Sequence, residues 1–204
     1  MRQPSPAALG SAEPGVIAIA ASAGGLHALR DLMASLPASL SVPVLVVQHL
    51  DPRRHSHIAE ILGRATPLRV KEAEAGEPAL AGTVYIAPPD FHLLVAGDRT
   101  LSLTHTARVR FVRPSADCLF ESVAAVYGAR AIAVVLTGTG TDGVKGAQAI
   151  KRAGGTVVAQ DEATAEFFGM PGAVIASGCV DATLPLGEIA PALVAMSAHK
   201  AALA

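Results

Sequence analysis

The sequence predicts an α/β fold in which a mainly parallel sheet carries helices on both faces. Short, wholly apolar runs, typical of strands buried on both faces, alternate with stretches whose apolar residues recur at helical spacing. Hydrophobic residues make up 51% of the 204 residues, which is ample for a buried core. The length suits one domain, and we find neither an internal repeat nor a linker.

Composition and charge exclude several classes of function. The 16 basic and 17 acidic residues leave a net charge of −1, which indicates no basic surface for nucleic acid. Aromatic residues are only 3%, too few for a base-stacking platform. No apolar run approaches the roughly 18 to 20 residues of a membrane span, and we expect no secretory signal. Cys118 and Cys179 are therefore predicted to be reduced thiols of a cytoplasmic protein, not a disulfide or a zinc site.

The first predicted elements follow a tail. Residues 1–14 mix Pro, Ser, Gly and Ala without periodicity, so we predict a flexible tail and a single domain over 15–204. The apolar run at 16–21 predicts a strand, and the leucines that follow recur at helical spacing. The elements predicted in this half are strand 16–21, helix 24–36, strand 42–48, helix 56–62 and strand 68–70.

The middle of the chain breaks this alternation. Short strands joined by turns are predicted at 82–87, 91–95 and 100–103, and we expect them to form a small antiparallel hairpin excursion. The alternation then resumes. The elements predicted there are helix 116–127, strand 131–136, helix 142–152, strand 156–160, a helical turn at 171–176, strand 179–181 and helix 186–202.

Three polar residues follow three of the apolar strands. Ser22 follows strand 16–21, His49 follows strand 42–48, and Asp142 lies in the glycine-rich turn after strand 131–136. In a parallel sheet these carboxyl ends meet at one edge, where ligands bind. A serine hydroxyl needs a nearby base to act as a nucleophile, an imidazole titrates near neutrality, and a carboxylate orients it. The pattern therefore favours a Ser-His-Asp hydrolytic site, in a chain order unlike that of the α/β-hydrolases.

Plain structural interpretations of the same residues stay open at this point. Ser22 also suits a helix N-cap or a phosphate-binding loop, and Asp142 suits an N-cap. His49 taken alone suits a structural histidine. His49, His55 and His57 raise the possibility of a metal site, but no matching carboxylate or His pair follows at helical spacing, so we expect none.

Seven separated motifs resemble, in order, those of the catalytic domain of chemotaxis protein-glutamate methylesterases of the CheB type. Together they cover nearly the whole chain, from residue 16 to residue 189. The motifs are Ala-Ser-Ala-Gly-Gly at 21–25, Val-Val-Gln-His at 46–49, Gly-Thr-Val-Tyr-Ile-Ala-Pro-Pro at 82–89, Arg-Pro-Ser-Ala-Asp-Cys-Leu-Phe-Glu-Ser at 113–122, Leu-Thr-Gly-Thr-Gly-Thr-Asp-Gly at 136–143, Ala-Gln-Asp-Glu-Ala-Thr at 159–164 and Gly-Met-Pro at 169–171.

The resemblance implies a fold and a reaction. The fold is a doubly wound three-layer α/β/α sandwich with a seven-stranded, mainly parallel sheet. Ser22 is then the nucleophile, His49 the base and Asp142 its orienting carboxylate. The reaction is hydrolysis of glutamate γ-methyl esters on chemoreceptor helices, with release of methanol, and many members also deamidate receptor glutamines. No cofactor and no metal are implied.

The resemblance also indicates where an oxyanion and the substrate bind. The helix N-terminus after Ser22 and the glycine-rich turn offer backbone N–H groups. The residues assigned to this role are Ala23, Gly24, Thr139, Gly140, Arg113 and Met170. The chain departs from the family pattern at four positions. Ala23 replaces the usual Thr, Thr139 the usual Met, Val112 the usual His and Gly172 the usual Arg.

The expected partners follow from the same resemblance. The substrates are methylated chemoreceptor helices, with no nucleic acid and no membrane insertion. Family members typically carry an N-terminal receiver domain, and about 15 residues precede the first strand here, so control by a receiver-domain protein in trans, constitutive activity and a fragment all remain open. Two other functions stay open as well. One is an esterase or deamidase outside chemotaxis; the other is a signalling module that binds without turnover, favoured by Val112 and Gly172.

Overall fold

The computed structural model describes residues 15–49 and 56–202, with side chains as far as residue 198. The predicted tail at 1–14 and His55 of the metal hypothesis lie outside these residues. The described elements are β1 (Val16–Ala21), α1 (Gly25–Ala34), β2 (Val44–Gln48), α2 (Ile58–Gly63), β3 (Arg69–Glu72), β4 (Thr83–Ile86), β5 (His92–Val95), β6 (Leu101–Thr104), α3 (Ala116–Tyr127), a 3-10 turn (Gly128–Arg130), β7 (Ala131–Val135), α4 (Val144–Arg152), β8 (Thr156–Gln160), α5 (Gly169–Ala176), β9 (Ala182–Leu184) and α6 (Leu186–Ala202).

Seven of these strands form one parallel sheet in the order β3-β4-β2-β1-β7-β8-β9. The central strands β1, β2 and β7 are buried along their whole length, as their unbroken apolar sequences predict. The remaining strands, β5 and β6, pair antiparallel as a separate two-stranded sheet. The predicted fold class is therefore confirmed.

Helices cover both faces of the sheet because alternate side chains of each strand point to opposite sides. Ile17 and Ile19 face a core with buried residues of α1, α2 and α6. Ala18 and Ala20 face the other core, which α3, α4, β5 and β6 complete. Small alanines on that side of β1 leave room for the bulkier Phe120 of α3. No helix in the described part of the chain is long and apolar enough to span a membrane.

Two strand predictions need correction. Residues 83–86 belong to the parallel sheet, between β2 and β3, and not to the antiparallel excursion. All four residues of this strand, β4, are buried, which suits an interior strand and not an exposed hairpin. The strand predicted at 179–181 begins instead at Ala182, where its pairing with Val158 starts. Cys179 packs into the core, and the Asp181 carboxylate accepts the Val157 N–H at 2.9 Å, so both precede the ladder.

The order of the strands creates a crevice between β1 and β7. From β1 the chain moves to β2 on one side, and it later returns to β7 on the other side. At such a switch point the loops after the two strands diverge, which opens a site at their carboxyl ends. Ser22 follows β1, His49 follows β2, and the turn 137–143 follows β7, so all three reach this edge.

Candidate active site

Ser22 begins the sharp turn from β1 into α1. Its N–H donates to the Thr137 carbonyl at 3.0 Å, and its own carbonyl accepts the Gly25 N–H at 2.9 Å. The turn continues through Gly24, whose φ of 73° is a left-handed conformation that favours glycine. A Cβ at Gly24 would also lie 2.7 Å from Glu166 Oε2. The glycines after Ser22 therefore allow the close strand-to-helix turn that exposes this serine at the sheet edge.

His49 is tied to the sheet and to Asp142. Its N–H donates to the Ala21 carbonyl at 3.0 Å, next to Ser22 in the sequence. Its ring Nε2 lies 2.8 Å from Asp142 Oδ2. Both side chains are nearly enclosed, with 11% of the histidine and 4% of the carboxylate exposed. Because a neutral ring that donates from Nε2 accepts at Nδ1, the Nδ1 atom is left to take a proton.

The Asp142 carboxylate also caps the N-terminus of α3. Its oxygens accept the Ser115 hydroxyl at 2.8 Å, the Ala116 N–H at 2.6 Å and the Asp117 N–H at 3.1 Å. The positive end of the α3 dipole adds to these charge-assisted bonds. The N-cap interpretation of Asp142 was thus partly right, but the helix is α3, whereas the residue at the N-cap of α4 is Gly143.

These contacts determine the ionisation of Asp142. Burial acts to raise the pKa of its carboxyl, but the hydrogen bonds from His49, Ala116 and Ser115 outweigh that effect, so the pKa lies below its ordinary value. The carboxylate is therefore ionised at neutral pH, the state in which a carboxylate can stabilise a protonated imidazole beside it.

The lowered pKa of Asp142 predicts a loss of stability in acid. Its contribution is fully present above the pKa of the unfolded chain, about 4, and disappears as the pH falls through the lower folded value. We expect the free energy of unfolding in urea to fall as the pH drops below about 4, the ordinary pKa of an unfolded aspartate. The fall should be smaller in Asp142→Asn, which has no carboxyl to titrate. Equal pH slopes in the two proteins would contradict the prediction.

Ser22 and His49 open into one cavity of about 380 Å³. Its lining comes from the ends of all three central strands and from the segment before α3. The lining residues are Ser22, His49, Arg110, Phe111, Val112, Thr139, Gly140, Thr141 and Asp142. Within the described residues no hydrogen bond joins Ser22 Oγ to the His49 ring, a contact that commonly tightens only when substrate is bound.

Backbone N–H groups border this cavity from two sides. No hydrogen bond among residues 15–49 and 56–202 uses the N–H of Thr139 or Gly140, nor that of Ala23 or Gly24 at the start of α1. Gly138 brings the turn close to the serine, since a Cβ there would lie 2.8 Å from Ser22 Cβ. Such N–H groups suit the stabilisation of negative charge developing on a carbonyl oxygen.

Met170 supports this turn from behind. It is fully buried, its N–H donates to the Gly138 carbonyl at 2.8 Å, and its sulfur would lie 2.5 Å from a Cβ at Gly138. It is not among the residues that line the cavity. Its geometry therefore indicates support of the turn.

Arg113, which the resemblance assigns to substrate binding, lies outside the lining of the cavity. Its guanidinium donates to Asp90 Oδ1 at 2.8 and 3.1 Å and to the carbonyls of His105 and Thr106. It is only 10% exposed and does not line the cavity. These bonds hold the segment before α3 in place. The arginine in the cavity is Arg110, which donates to Thr141 Oγ1 at 2.7 Å and pairs with the buried Asp117.

Gln48 is a further residue of the site that sequence reasoning missed. It is buried at the end of β2, and its Nε2 donates to the carbonyls of Ser22 at 2.8 Å and His49 at 3.1 Å. A Cβ at Gly25 would lie 2.2 Å from its Oε1, so the second glycine of the turn makes room for this amide. One side chain thus links the backbones of Ser22 and His49. The signal in the sequence that could have identified Gln48 is its place as a polar residue in an otherwise apolar strand, directly before His49.

Replacing Gln48 by Leu is expected to disturb that relation. Two carbonyls lose their donor, so we expect the free energy of unfolding to fall by about 1–3 kcal/mol. A displacement of Ser22 or His49 by about 1 Å should lower kcat by about 100-fold. Gln148→Leu, on the exposed face of α4, is the control for the same chemical change. Ester hydrolysis and urea unfolding measure the two effects, and a Gln48→Leu protein with normal kcat would contradict the positioning role.

The described residues hold no group of three or more His, Cys, Asp or Glu side chains arranged to bind a metal ion. His57, the described member of the histidine pair, has an exposed side chain that lies 3.5 Å from Glu60.

Comparison with known proteins identifies similar sequences. The family model described as CheB methylesterase matches residues 17–193. A protein-glutamate methylesterase/protein-glutamine glutaminase of Myxococcus xanthus is 46% identical over 180 residues, which are 88% of this chain and 51% of that protein. The chain therefore spans about half the length of this relative, and likewise 50% of one from Paramagnetospirillum magneticum. A putative protein-glutamate methylesterase/protein-glutamine glutaminase of Leptospira interrogans is 41% identical, and the match covers 85% of this chain and 90% of that protein.

A solved structure matches the fold over nearly its whole length. The crystal structure of the Thermotoga maritima CheB methylesterase catalytic domain superposes with a TM-score of 0.88 and is 38% identical. The match covers 90% of this chain and 99% of that one.

Proposed function

The chain belongs to the CheB methylesterase family, and on that premise we propose that it hydrolyses glutamate γ-methyl esters of chemoreceptor proteins. The observation that carries the proposal is the 2.8 Å contact of His49 Nε2 with Asp142 Oδ2 in a cavity that also holds Ser22. These are the base, its orienting carboxylate and the nucleophile that acyl transfer needs.

The first half of the reaction forms an acyl-enzyme. Ser22 Oγ attacks the ester carbonyl carbon while Nδ1 of His49 takes its proton, and Asp142 stabilises the charged ring. The negative oxygen of the tetrahedral intermediate accepts hydrogen bonds from the N–H groups of Thr139 and Gly140. The bond to the methoxy group then breaks, and methanol leaves with the proton from His49.

The second half regenerates the serine. His49 removes a proton from water, whose oxygen attacks the acyl carbon, and the bond to Ser22 Oγ breaks as the proton passes back to it. The product is a free glutamate side chain. With a glutamine side chain as substrate, ammonia leaves in place of methanol. The double names of the relatives, methylesterase and glutaminase, support inclusion of this second reaction.

The substrate and its location complete the proposal. The esters lie on the cytoplasmic helices of chemoreceptors, where this protein acts.

Val112 favours a second candidate function. It lines the cavity with an apolar side chain at the position where the family resemblance leads us to expect histidine. A lost donor near an oxyanion costs about 100- to 1,000-fold in rate, so a module that binds methylated helices with little turnover is the alternative.

Methanol release from a methylated chemoreceptor cytoplasmic fragment tests both candidates. The same fragment without methyl esters is the control for background methanol, and ammonia release from its glutamine form tests deamidation. Methanol release at rates well above background would support the esterase. Binding of the fragment without release would support the binding module, and neither binding nor release would refute both.

A further inference from the structure

Phe111 is the most exposed large hydrophobic residue in the described part of the chain. Its exposed fraction is 92%, against 53% for Leu80, the next highest. A single exposed apolar side chain on a protein surface needs no special explanation. Phe111 differs from the others because it lines the cavity that holds Ser22 and His49.

The backbone presents Phe111 at the tip of a tight turn. Val109 and Val112 exchange two backbone hydrogen bonds of 3.1 and 3.0 Å, which closes a two-residue turn around Arg110 and Phe111. Both central residues have positive φ, of 48° and 69°. Turns of this kind usually contain Asn, Asp or Gly, so a phenylalanine here is held in a conformation that it rarely adopts.

Side chains on both sides of the tip anchor the turn. Arg110 pairs with Asp117 of α3 and donates to Thr141 of the glycine-rich turn. Arg113 fastens the other end to Asp90. The tip is therefore fixed relative to the catalytic residues, which reduces the loss of freedom when it contacts a ligand.

We propose that Phe111 is a substrate-docking residue that contacts an apolar side chain next to the modified glutamate on the substrate helix. This inference rests on the proposed function. An ester on a glutamate side chain reaches Ser22 only if the backbone that carries it crosses the mouth of the cavity. On a helix, residues three and four positions away lie about 5–6 Å from the modified one, so they lie over the lining of the cavity, to which Phe111 belongs. An exposed aromatic in that lining fits an apolar neighbour and disfavours a charged one.

The test compares Phe111→Ala and Phe111→Leu with Leu80→Ala. Leu80 is an exposed apolar residue outside the cavity, so its variant is the matched control. For the methylated receptor fragment we expect Phe111→Ala to raise KM about tenfold with kcat nearly unchanged, as expected for a lost binding contact. Phe111→Leu should recover most of the affinity. The dissociation constant of the fragment, measured in the Ser22→Ala background, should change in parallel.

The outcomes separate this inference from the proposed function. Methanol release with no change of KM or dissociation constant in Phe111→Ala would overturn the docking role and leave the esterase standing. A fall in kcat with unchanged KM would also overturn it. No methanol release, with binding that is weakened by Phe111→Ala, would refute the esterase and support the docking role. If the fragment does not bind at all, both fail.

Discussion

Replacement of Ser22 by Ala is expected to lower kcat for methanol release by about 10⁴- to 10⁶-fold, the loss that follows removal of the nucleophile from a serine hydrolase. The variant retains His49, Asp142 and the backbone N–H groups but has no hydroxyl to form the acyl-enzyme. Its free energy of unfolding should be unchanged, because no hydrogen bond within the described residues uses the Ser22 hydroxyl. Methanol release and urea unfolding measure the two effects.

Ser35→Ala provides the control for this variant. Ser35 is an exposed serine at the C-terminal end of α1, the opposite end of the helix from Ser22, so activity should be retained. A Ser22→Ala protein that keeps more than about a tenth of the activity would show that another group attacks the ester. Trapping a covalent acyl-enzyme on wild type and not on Ser22→Ala would provide independent evidence for the nucleophile.

Replacement of Asp142 by Asn is expected to damage both activity and stability. Loss of the negative charge behind His49 should lower kcat by about 10⁴-fold. The same carboxylate caps α3 through Ser115, Ala116 and Asp117, and its charge-assisted bonds become weaker neutral ones or are lost. We therefore expect the free energy of unfolding to fall by about 2–3 kcal/mol at pH 7.

The comparison with Ser22→Ala makes this second prediction specific. Ser22→Ala should lose activity but keep its stability, whereas Asp142→Asn should lose both activity and stability. Asp31→Asn, on the exposed face of α1, is the matched control and should change neither. An Asp142→Asn protein as stable as wild type would show that the α3 cap contributes little. One that retains normal kcat would refute its orienting role.

Much of the fold could be predicted because its central strands are recognisable without their neighbours. The runs at 16–21, 131–136 and 156–160 are wholly or mostly apolar, and strands buried on both faces need that composition. The strand at 83–86 was assigned to the wrong sheet because its partners, β2 and β3, are set by packing and not by sequence proximity. The onset of β9 was missed by a few residues since edge strands have weaker patterns.

The residues of the site likewise divide into those that local sequence patterns predict and those that only packing brings together. Ser22, His49 and Asp142 could be found from their places just after apolar strands, since the carboxyl ends of parallel strands converge. The places of Gln48, Arg110 and Phe111 at the site could not be found in this way, because their contacts depend on residues that lie across the crevice. The contacts of Arg113 with Asp90 and with two carbonyls likewise follow from the tertiary structure and not from its motif.

The sequence alone determined the α/β class, the burial of the central strands and the residue types at the strand ends, because these depend on local composition and period. Only the tertiary structure decided which nitrogen of His49 meets Asp142, that Asp142 caps α3, and that Phe111 stands exposed at the cavity. Each of these features depends on contacts between residues that are far apart in the sequence. Their geometry follows from packing of whole elements against one another, which no local pattern encodes.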